Sequence, residues 1–382
     1  MHNVKDSFDF FTSDYAFVFL NVDYKNSTAA FPTPEILYAC SLVFVVVTLL
    51  LVGVTFYTLN KKKQKFNFNN NIRLGVEQWI SEVISDPAAR SVAVPENFMV
   101  LFKKPEARQM MIEELVRNKS SFLGIVSDNI IQLYYQLGLN VDSRIKLDDK
   151  QTHIQCQGIH ELCVMEQKDQ YGKIYHLTNS KNSDVRLEAQ TAVIQLYGFT
   201  GLRFLDVVSY PITEFQQLKL LEMLRQLPFT GLPTLDSWLQ SKNDTVISFA
   251  LKLAQHYKQV QVHKEAAVCL QHKNEAVRVQ AVKTLAQIAN NTTANLLTEA
   301  YQNERFTNRL NILRELPKIA SDAQRDFLIV QLHEGHEFLK LAAAKVLAKC
   351  TSEGMEILEA KGQEDPIPYK QIYLHVKAER ER

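Results

Sequence analysis

The chain has 382 residues, 46% of them hydrophobic and 22% charged, enough for about two or three compact domains or one elongated array. Its 43 basic and 42 acidic residues nearly cancel, which argues against a nucleic-acid binder working through bulk positive charge. Five cysteines (Cys40, Cys156, Cys163, Cys269 and Cys350), odd in number, widely spaced and without a CxxC pair, fit free thiols in a reducing compartment better than a disulfide framework.

Residues 1–35 form a short tail rich in Phe and Tyr, in which 14–24 (DYAFVFLNVDY) partly alternates. Two readings stand: a short strand or hairpin, or packing against a membrane partner, on one side, and a mobile tail with its rings at the lipid surface on the other. Asn26-Ser27-Thr28 is a formal glycosylation sequon. Residues 36–60 (ILYACSLVFVVVTLLLVGVTFYTLN) then run without a charge. As a helix they span about 37 Å, more than a hydrocarbon core of about 30 Å, so a transmembrane helix is expected. Tyr38, Phe56 and Tyr57 fall near its ends, and Lys61, Lys62, Lys63 and Lys65 follow at the expected membrane interface. A buried core helix rarely runs this long uncharged. A cleaved signal peptide is not expected, because the run is long, starts late and has its basic cluster behind it. With Lys5 and Lys25 before the span and four lysines and Arg73 after it, the tail is expected outside and the remainder in the cytoplasm, in a bacterial inner membrane.

Residues 61–105 read as a basic juxtamembrane segment and linker: 66–71 (FNFNNN) leaves the membrane, 72–84 has helical spacing around Trp79, and 86–105 is a loop with Pro87, Pro95 and Pro105. Residues 106–150 are expected to form a divergent helical cap. Its pair of helices, 107–117 and 120–137, carries an apolar band of Phe122, Ile125, Val126, Ile130, Leu133, Tyr134 and Leu137.

From 151 to 362 the sequence repeats. Stretches beginning at Ser180, Ser241, His272 and Gly335 share one frame: an apolar anchor, a small residue four positions on, and an apolar residue or Ala four further. The anchors are Val185, Val246, Val277 and Leu339, the small residues Ala189, Ala250, Ala281 and Ala343, and the third positions Val193, Ala254, Leu285 and Leu347. Anchor gaps of 61, 31 and 62 give a period near 31 with skipped units at Gln216/Leu220/Leu224 and Asn308/Ile312/Leu316, and a weaker early unit at Ile154/Gly158/Leu162. Positions i, i+4 and i+8 share one helical stripe, and a small middle residue admits a close neighbour. Three residues before the anchors, Asn182, Thr213, Asn243 and Asn274 are expected N-caps, and Asp184, Glu214, Asp244 and Glu275 suit the helix dipole. A first helix precedes each, at 172–178, 202–209, 232–240, 263–271, 295–302, 325–333 and 355–360. Pro211, Pro228, Pro233 and Pro317 fall at or near unit edges. Residues 363–382 are expected to be a polar C-terminal tail or cap.

This frame resembles a HEAT repeat, whose second helix typically opens with Val-Arg. Val185-Arg186 and Val277-Arg278 match that pair, Val246-Ile247 and Leu339-Lys340 vary it, and the units at Gln216 and Asn308 depart further. The family's Asp at the end of the first helix is replaced by Asn179 or absent. The resemblance covers a little over half the chain. It implies an all-α fold, one transmembrane helix followed by a right-handed α-solenoid of HEAT-like, armadillo-type hairpins, and says little about function.

Cys156, His160 and Cys163 share a helical face without a fourth ligand, and His333 and His336 form HxxH outside an HExxH frame, so no metal site is expected. The 12 glycines make no phosphate loop, and Asp148-Asp149 and Glu364-Asp365 read as solvated or capping groups. No catalytic residue and no cofactor is expected. The expected role is a membrane-anchored scaffold that holds a protein partner, probed first at Arg186, Gln190, Lys252, Gln280, Lys283, Arg309 and Lys345, the exposed positions of the second helices. A membrane complex in envelope or polysaccharide synthesis is a natural setting, with the bilayer a second partner and nucleic acid not one. Alternatives are a HEAT-fold enzyme, glycosylase-like or lyase-like, and a relay coupling the outer tail to the array.

Overall fold

A computed structural model describes residues 34–85, 96–122, 124–232, 234–333 and 336–381. The tail with its alternating stretch and sequon, the loop residues 86–95, and Pro233, Glu334 and Gly335 lie outside the described residues. Among the described residues every regular element is helical. Contacts divide the chain into two compact units, Met1–Gly75 and Val76–Arg382.

The first unit contains most of helix α1 (Pro34–Ser85). Its stretch Tyr38–Gln64 is long and apolar enough to cross a membrane, and no part of it is buried. Its threonine hydroxyls are satisfied by the helix itself: Thr48, Thr55 and Thr58 donate to the carbonyls of Phe44, Leu51 and Thr55 at 2.8, 2.7 and 2.9 Å. Lys61, Lys62 and Lys63 are exposed at its end, and Lys65 lies in the same helix. The expected linker 66–71 is helical, because nothing between Gly53 and Gly75 breaks a helix: neither Gly nor Pro occurs there.

In the second unit Val76, Trp79 and Ile80 are buried, and Trp79 stacks on Phe98 of α2 (Glu96–Leu101) with centroids 5.5 Å apart. The helices α3 (Pro105–Ser121), α4 (Ile125–Gln136), α5 (Leu139–Leu147) and α6 (Thr152–Val164) follow. The expected single helix over 120–137 is broken at Gly124, whose φ of 69° is a left-handed conformation that an α-helix cannot contain. Ile130, Leu133 and Tyr134 of the expected band are buried, whereas Phe122 and Ile125, beside the break, stay exposed.

Helical pairs then succeed one another. First helices are α7 (Tyr171–Leu177), α10 (Leu235–Trp238), α12 (His263–Val268), α14 (Thr293–Tyr301), α16 (Arg325–Leu332) and α18 (Gly354–Glu364). Second helices are α8 (Ser183–Tyr197), α9 (Glu214–Arg225), α11 (Asp244–His256), α13 (Glu275–Gln287), α15 (Phe306–Glu315), α17 (Glu337–Cys350) and α19 (Pro366–Arg380). The first helix expected at 202–209 is instead a 3-10 segment, Gly198–Asp206. Gly201 lies so close to α8 that a Cβ would sit 2.3 Å from the Val193 carbonyl, and the tighter winding accommodates that approach.

Helix α6 packs on α8, and second helices pack on second helices: α8 on α9, α11 on α13, α13 on α15, α15 on α17 and α17 on α19. The frame's anchors, small residues and third positions are all buried, apart from the half-buried Ile154 of the weak early unit, and the apolar ones belong to one continuous core. The expected polar tail is α19, amphipathic rather than polar throughout, with Tyr369, Ile372 and Val376 buried.

Candidate functional site

The turns that join first to second helices explain several residue choices. Asn182, Asn243 and Asn274 cap α8, α11 and α13, accepting from backbone NH groups two or three residues on, and Thr213 forms a capping box with Gln216 on α9. Each asparagine then uses its NH2 on the preceding unit: Asn182 on Thr152 Oγ1 (2.9 Å), Asn243 on the Tyr210 carbonyl (3.1 Å), Asn274 on Asp244 Oδ2 (2.8 Å). Asp would cap equally well but has no donor for the neighbour. Asn179, where the HEAT pattern favours Asp, accepts from the Ser209 backbone NH at 2.9 Å.

The residue after the anchor has an equally fixed task. Arg186 donates to the carbonyls of Ser180 and Lys181 at 2.7 and 3.3 Å, and Arg278 donates to those of His272 and Lys273 at 2.9 and 3.2 Å. In the next unit Arg309 donates to Glu304 and Gln302 carbonyls at 2.8 and 3.0 Å. The guanidinium also reaches aromatic or acidic partners. Arg186 lies over the Tyr210 ring and Arg309 over Tyr301, while Arg278 forms a two-pronged pair with the buried Glu304 at 2.6 and 3.1 Å, which raises the arginine's pKa. The Val-Arg pair therefore closes the turn.

The seven candidate contact residues, expected to be exposed, are buried in three cases and half-buried in four. Arg186 is buried by its turn, Gln190 is buried and donates to the Thr178 carbonyl at 3.0 Å, and Gln280 is buried and donates to Gln255 Oε1 at 2.7 Å. Arg309 is half-buried and committed to carbonyls. Lys252, Lys283 and Lys345 are different: they are half-exposed and fall six residues after their anchors.

Those three define a row that individual residues do not reveal. Lys252, Lys283, Arg314 and Lys345 are spaced 31 residues apart, one each on α11, α13, α15 and α17. Arg314 is exposed, and the signal that points to it is the 31-residue count from Lys283, not its polarity alone. One helical turn earlier runs a half-buried column, Ser248, Val279, Leu310 and Leu341, with the same spacing. Both columns line clefts between successive second helices. Val279, Lys252 and Lys283 line one of about 350 Å³, with Glu214 and Glu275. Leu310, Leu313, Arg314, Phe338, Leu341 and Lys345 line another of about 270 Å³. Lys345, Lys349, Val376, Glu379 and Arg380 line a third of about 460 Å³, which shares Pro317 and Lys345 with the second.

Other candidates carry less. A cleft of about 1110 Å³ lies along the turns, where Asp206 is bound by Trp238 Nε1 at 2.6 Å and Asn243 and Asn274 are occupied as caps. Cys156, His160 and Cys163 do not converge. His160 faces Glu188 at 3.4 Å, which raises its pKa, while Cys163 points to the Ala192 carbonyl and burial pushes its thiol up to about 12. Among the described residues no three His, Cys, Asp or Glu side chains gather as a metal-binding group. His336 lies between the rings of Phe306 and Phe338, and His333 is near Tyr369.

No family model matches the chain, and no curated protein does. Solved structures similar to it include an engineered protein (14% identity over 80% of this chain and 88% of that one, TM-score 0.33) and human deoxyhypusine hydroxylase (16%, 80% and 96%, 0.28). The CpcE–CpcF complex of phycocyanin lyase from Nostoc sp. is another (12%, 76% and 98%, 0.24). With TM-scores this low, none of the three bears on fold or activity.

Proposed function

We propose that this chain is a membrane-anchored scaffold whose HEAT-type, right-handed α-solenoid holds a protein partner on its second-helix face. It is read as a binding protein and not as an enzyme. The observation that carries the reading is the pair of parallel columns, one apolar and one cationic, repeated at 31 residues along successive second helices. Polar residues at the turns are occupied in holding the units together, whereas Lys283 and Arg314 in the cationic column have no hydrogen-bond or ion-pair partner among the described residues. Tyr38–Gln64 supports the anchor, and the lysines after it support a cytoplasmic array with the aromatic tail outside. Tethering to a bilayer raises the effective concentration of the array for partners in the same membrane.

The test is site-specific photo-crosslinking in cells of the full-length protein, with benzoylphenylalanine placed at Val279, Leu310 or Leu341. The same group at Val268, exposed on the first-helix side, serves as the control. One partner protein captured from the three second-helix positions and absent from Val268 is the expected result. Recovery of the chain uncrosslinked from all four positions would overturn the scaffold reading.

A further inference from the structure

The ends and the middle of the cationic row differ. At one end Lys252 donates to Gln217 Oε1 at 2.9 Å, and at the other Lys345 pairs with Glu379 of α19 at 2.7 Å. Between them, Lys283 and Arg314 have no hydrogen-bond or ion-pair partner among the described residues. Glu379 thus shows within the molecule what a carboxylate does on this row, and two interior places of the same register are open to another.

Charge along the face is uneven. Glu214 and Glu275 offset Lys252 and Lys283 in the first cleft. In the two clefts that meet at Lys345, the cations Arg314, Lys345, Lys349 and Arg380 face one lining carboxylate, Glu379. Beside this excess of positive charge lies the apolar cleft of Leu310, Leu313, Phe338 and Leu341. A neutral apolar partner would leave the cations unused, and a basic one would be repelled.

We infer that the occupant of this face is an acidic, extended segment of a partner protein, laid across α13, α15 and α17 with its carboxylates on Lys283 and Arg314 and its apolar side chains along Val279, Leu310 and Leu341. The spacing sets its sequence rhythm. Packed helices lie about 8–10 Å apart. A polyproline-type chain repeats each face every third residue, about 9.3 Å. An acidic residue at every third position therefore meets one cation per unit, and apolar residues between them face the neighbouring column. This inference rests on the scaffold reading.

The probe is a fluorescein-labelled peptide of four Glu-Leu-Pro repeats, titrated by anisotropy against the full-length protein in phosphatidylcholine nanodiscs. Binding is expected, weakened about tenfold or more by Lys283→Glu combined with Arg314→Glu, and reduced by added salt. Neither side chain has a partner to lose, so the double variant keeps the fold, checked by circular dichroism. Lys264→Glu, an exposed cation on α12, is expected to leave binding unchanged. Equal binding of the peptide with Gln for Glu, or binding unmoved by the double variant, overturns the inference. So does capture of phosphatidylglycerol vesicles through Lys283 and Arg314 without binding of the peptide, since the ligand is then an anionic lipid. A crosslinked partner segment without carboxylates leaves the scaffold standing and removes the acidic ligand. Absence of any crosslink removes both.

Discussion

Two stretches of the second unit are held together by different chemistry. Between α3 and α6 the junction is a buried charged network. Lys146 Nζ lies 2.7 and 2.8 Å from the carboxylate of Glu161, which also accepts from Ser143 at 2.5 Å and from Gln109 at 3.1 Å. Gln109 also accepts from Lys146, and Arg108 on α3 pairs with Asp142 on α5. From α8 onward the junctions are mostly amide caps and arginine–carbonyl clamps, with small residues between helices and a buried ion pair at Arg278–Glu304. A buried ion pair is bistable in its energetics: strong when complete and costly when halved. A ladder of caps distributes the same task over many weak bonds, each lost at modest cost. The first design concentrates stability in one place, and the second spreads it along the array.

That contrast is broken most directly at Glu161. Glu161→Ala leaves Lys146 largely buried without its counter-charge and is expected to cost about 3–5 kcal/mol. Hydrogen exchange followed by mass spectrometry is expected to show opening across 105–165 before the repeats. Replacing both partners, Lys146→Met with Glu161→Leu, is expected to restore most of the loss. Were the single variant as stable as the parent, the network would contribute nothing.

A smaller effect is expected in the ladder. Asn274→Ala loses a cap and the bond to Asp244, together about 2 kcal/mol in urea unfolding. Asn274→Asp keeps the cap but places a second carboxylate against Asp244, and is expected to recover little. Full recovery with Asp would mean that only the cap matters and the link between units does not.

The smallest effect is a pH dependence in the ladder. Buried His263 lies 2.7 Å from Thr293 Oγ1, and its other ring nitrogen is 3.3 Å from the Asn290 amide nitrogen; burial lowers its pKa. A histidine held neutral in the fold takes up its proton more readily once unfolded. Stability from this site is therefore complete above the ordinary histidine value of about 6.5 and declines as pH falls through it toward the lowered one. His160, half-exposed and raised by Glu188, works in the opposite sense, so the comparison is between the parent and His263→Gln. The variant is expected to lose less stability between pH 7 and pH 5 than the parent, and an identical slope would remove His263 as the cause.

The two stretches also differ in how far they could be read in advance. The apolar frame of the repeats was legible because each feature recurs: four alanines at one position and three asparagines at another are a pattern, and the fold buries or employs every one of them. The network around Glu161 was not legible, since Gln109, Ser143, Lys146 and Glu161 occur once each and meet only through the packing of α3, α5 and α6. Gly124 was passed over because a single glycine in an apolar stretch does not declare its φ. At the candidate site, Lys252, Lys283 and Lys345, expected as exposed charges, are half-exposed. Arg186, Gln190 and Gln280, expected on the same ground, turn inward, because a long polar side chain meets a buried acceptor as readily as it extends into water: a carbonyl of its own turn for Arg186, the Thr178 carbonyl for Gln190 and the Gln255 side chain for Gln280. Period, more than polarity, separates the two groups.

The capping asparagines have one more consequence. Their NH2 groups meet a hydroxyl at Thr152, a carbonyl at Tyr210 and a carboxylate at Asp244, three acceptors of different chemistry at one structural position. An amide donor is indifferent to which oxygen it finds, so a unit need offer only some oxygen at that point for its neighbour to dock. Each unit can then change its amino acids almost freely while its distance from the next stays fixed. A chain built this way keeps time rather than spelling, and a cation placed once per beat falls into line with the others.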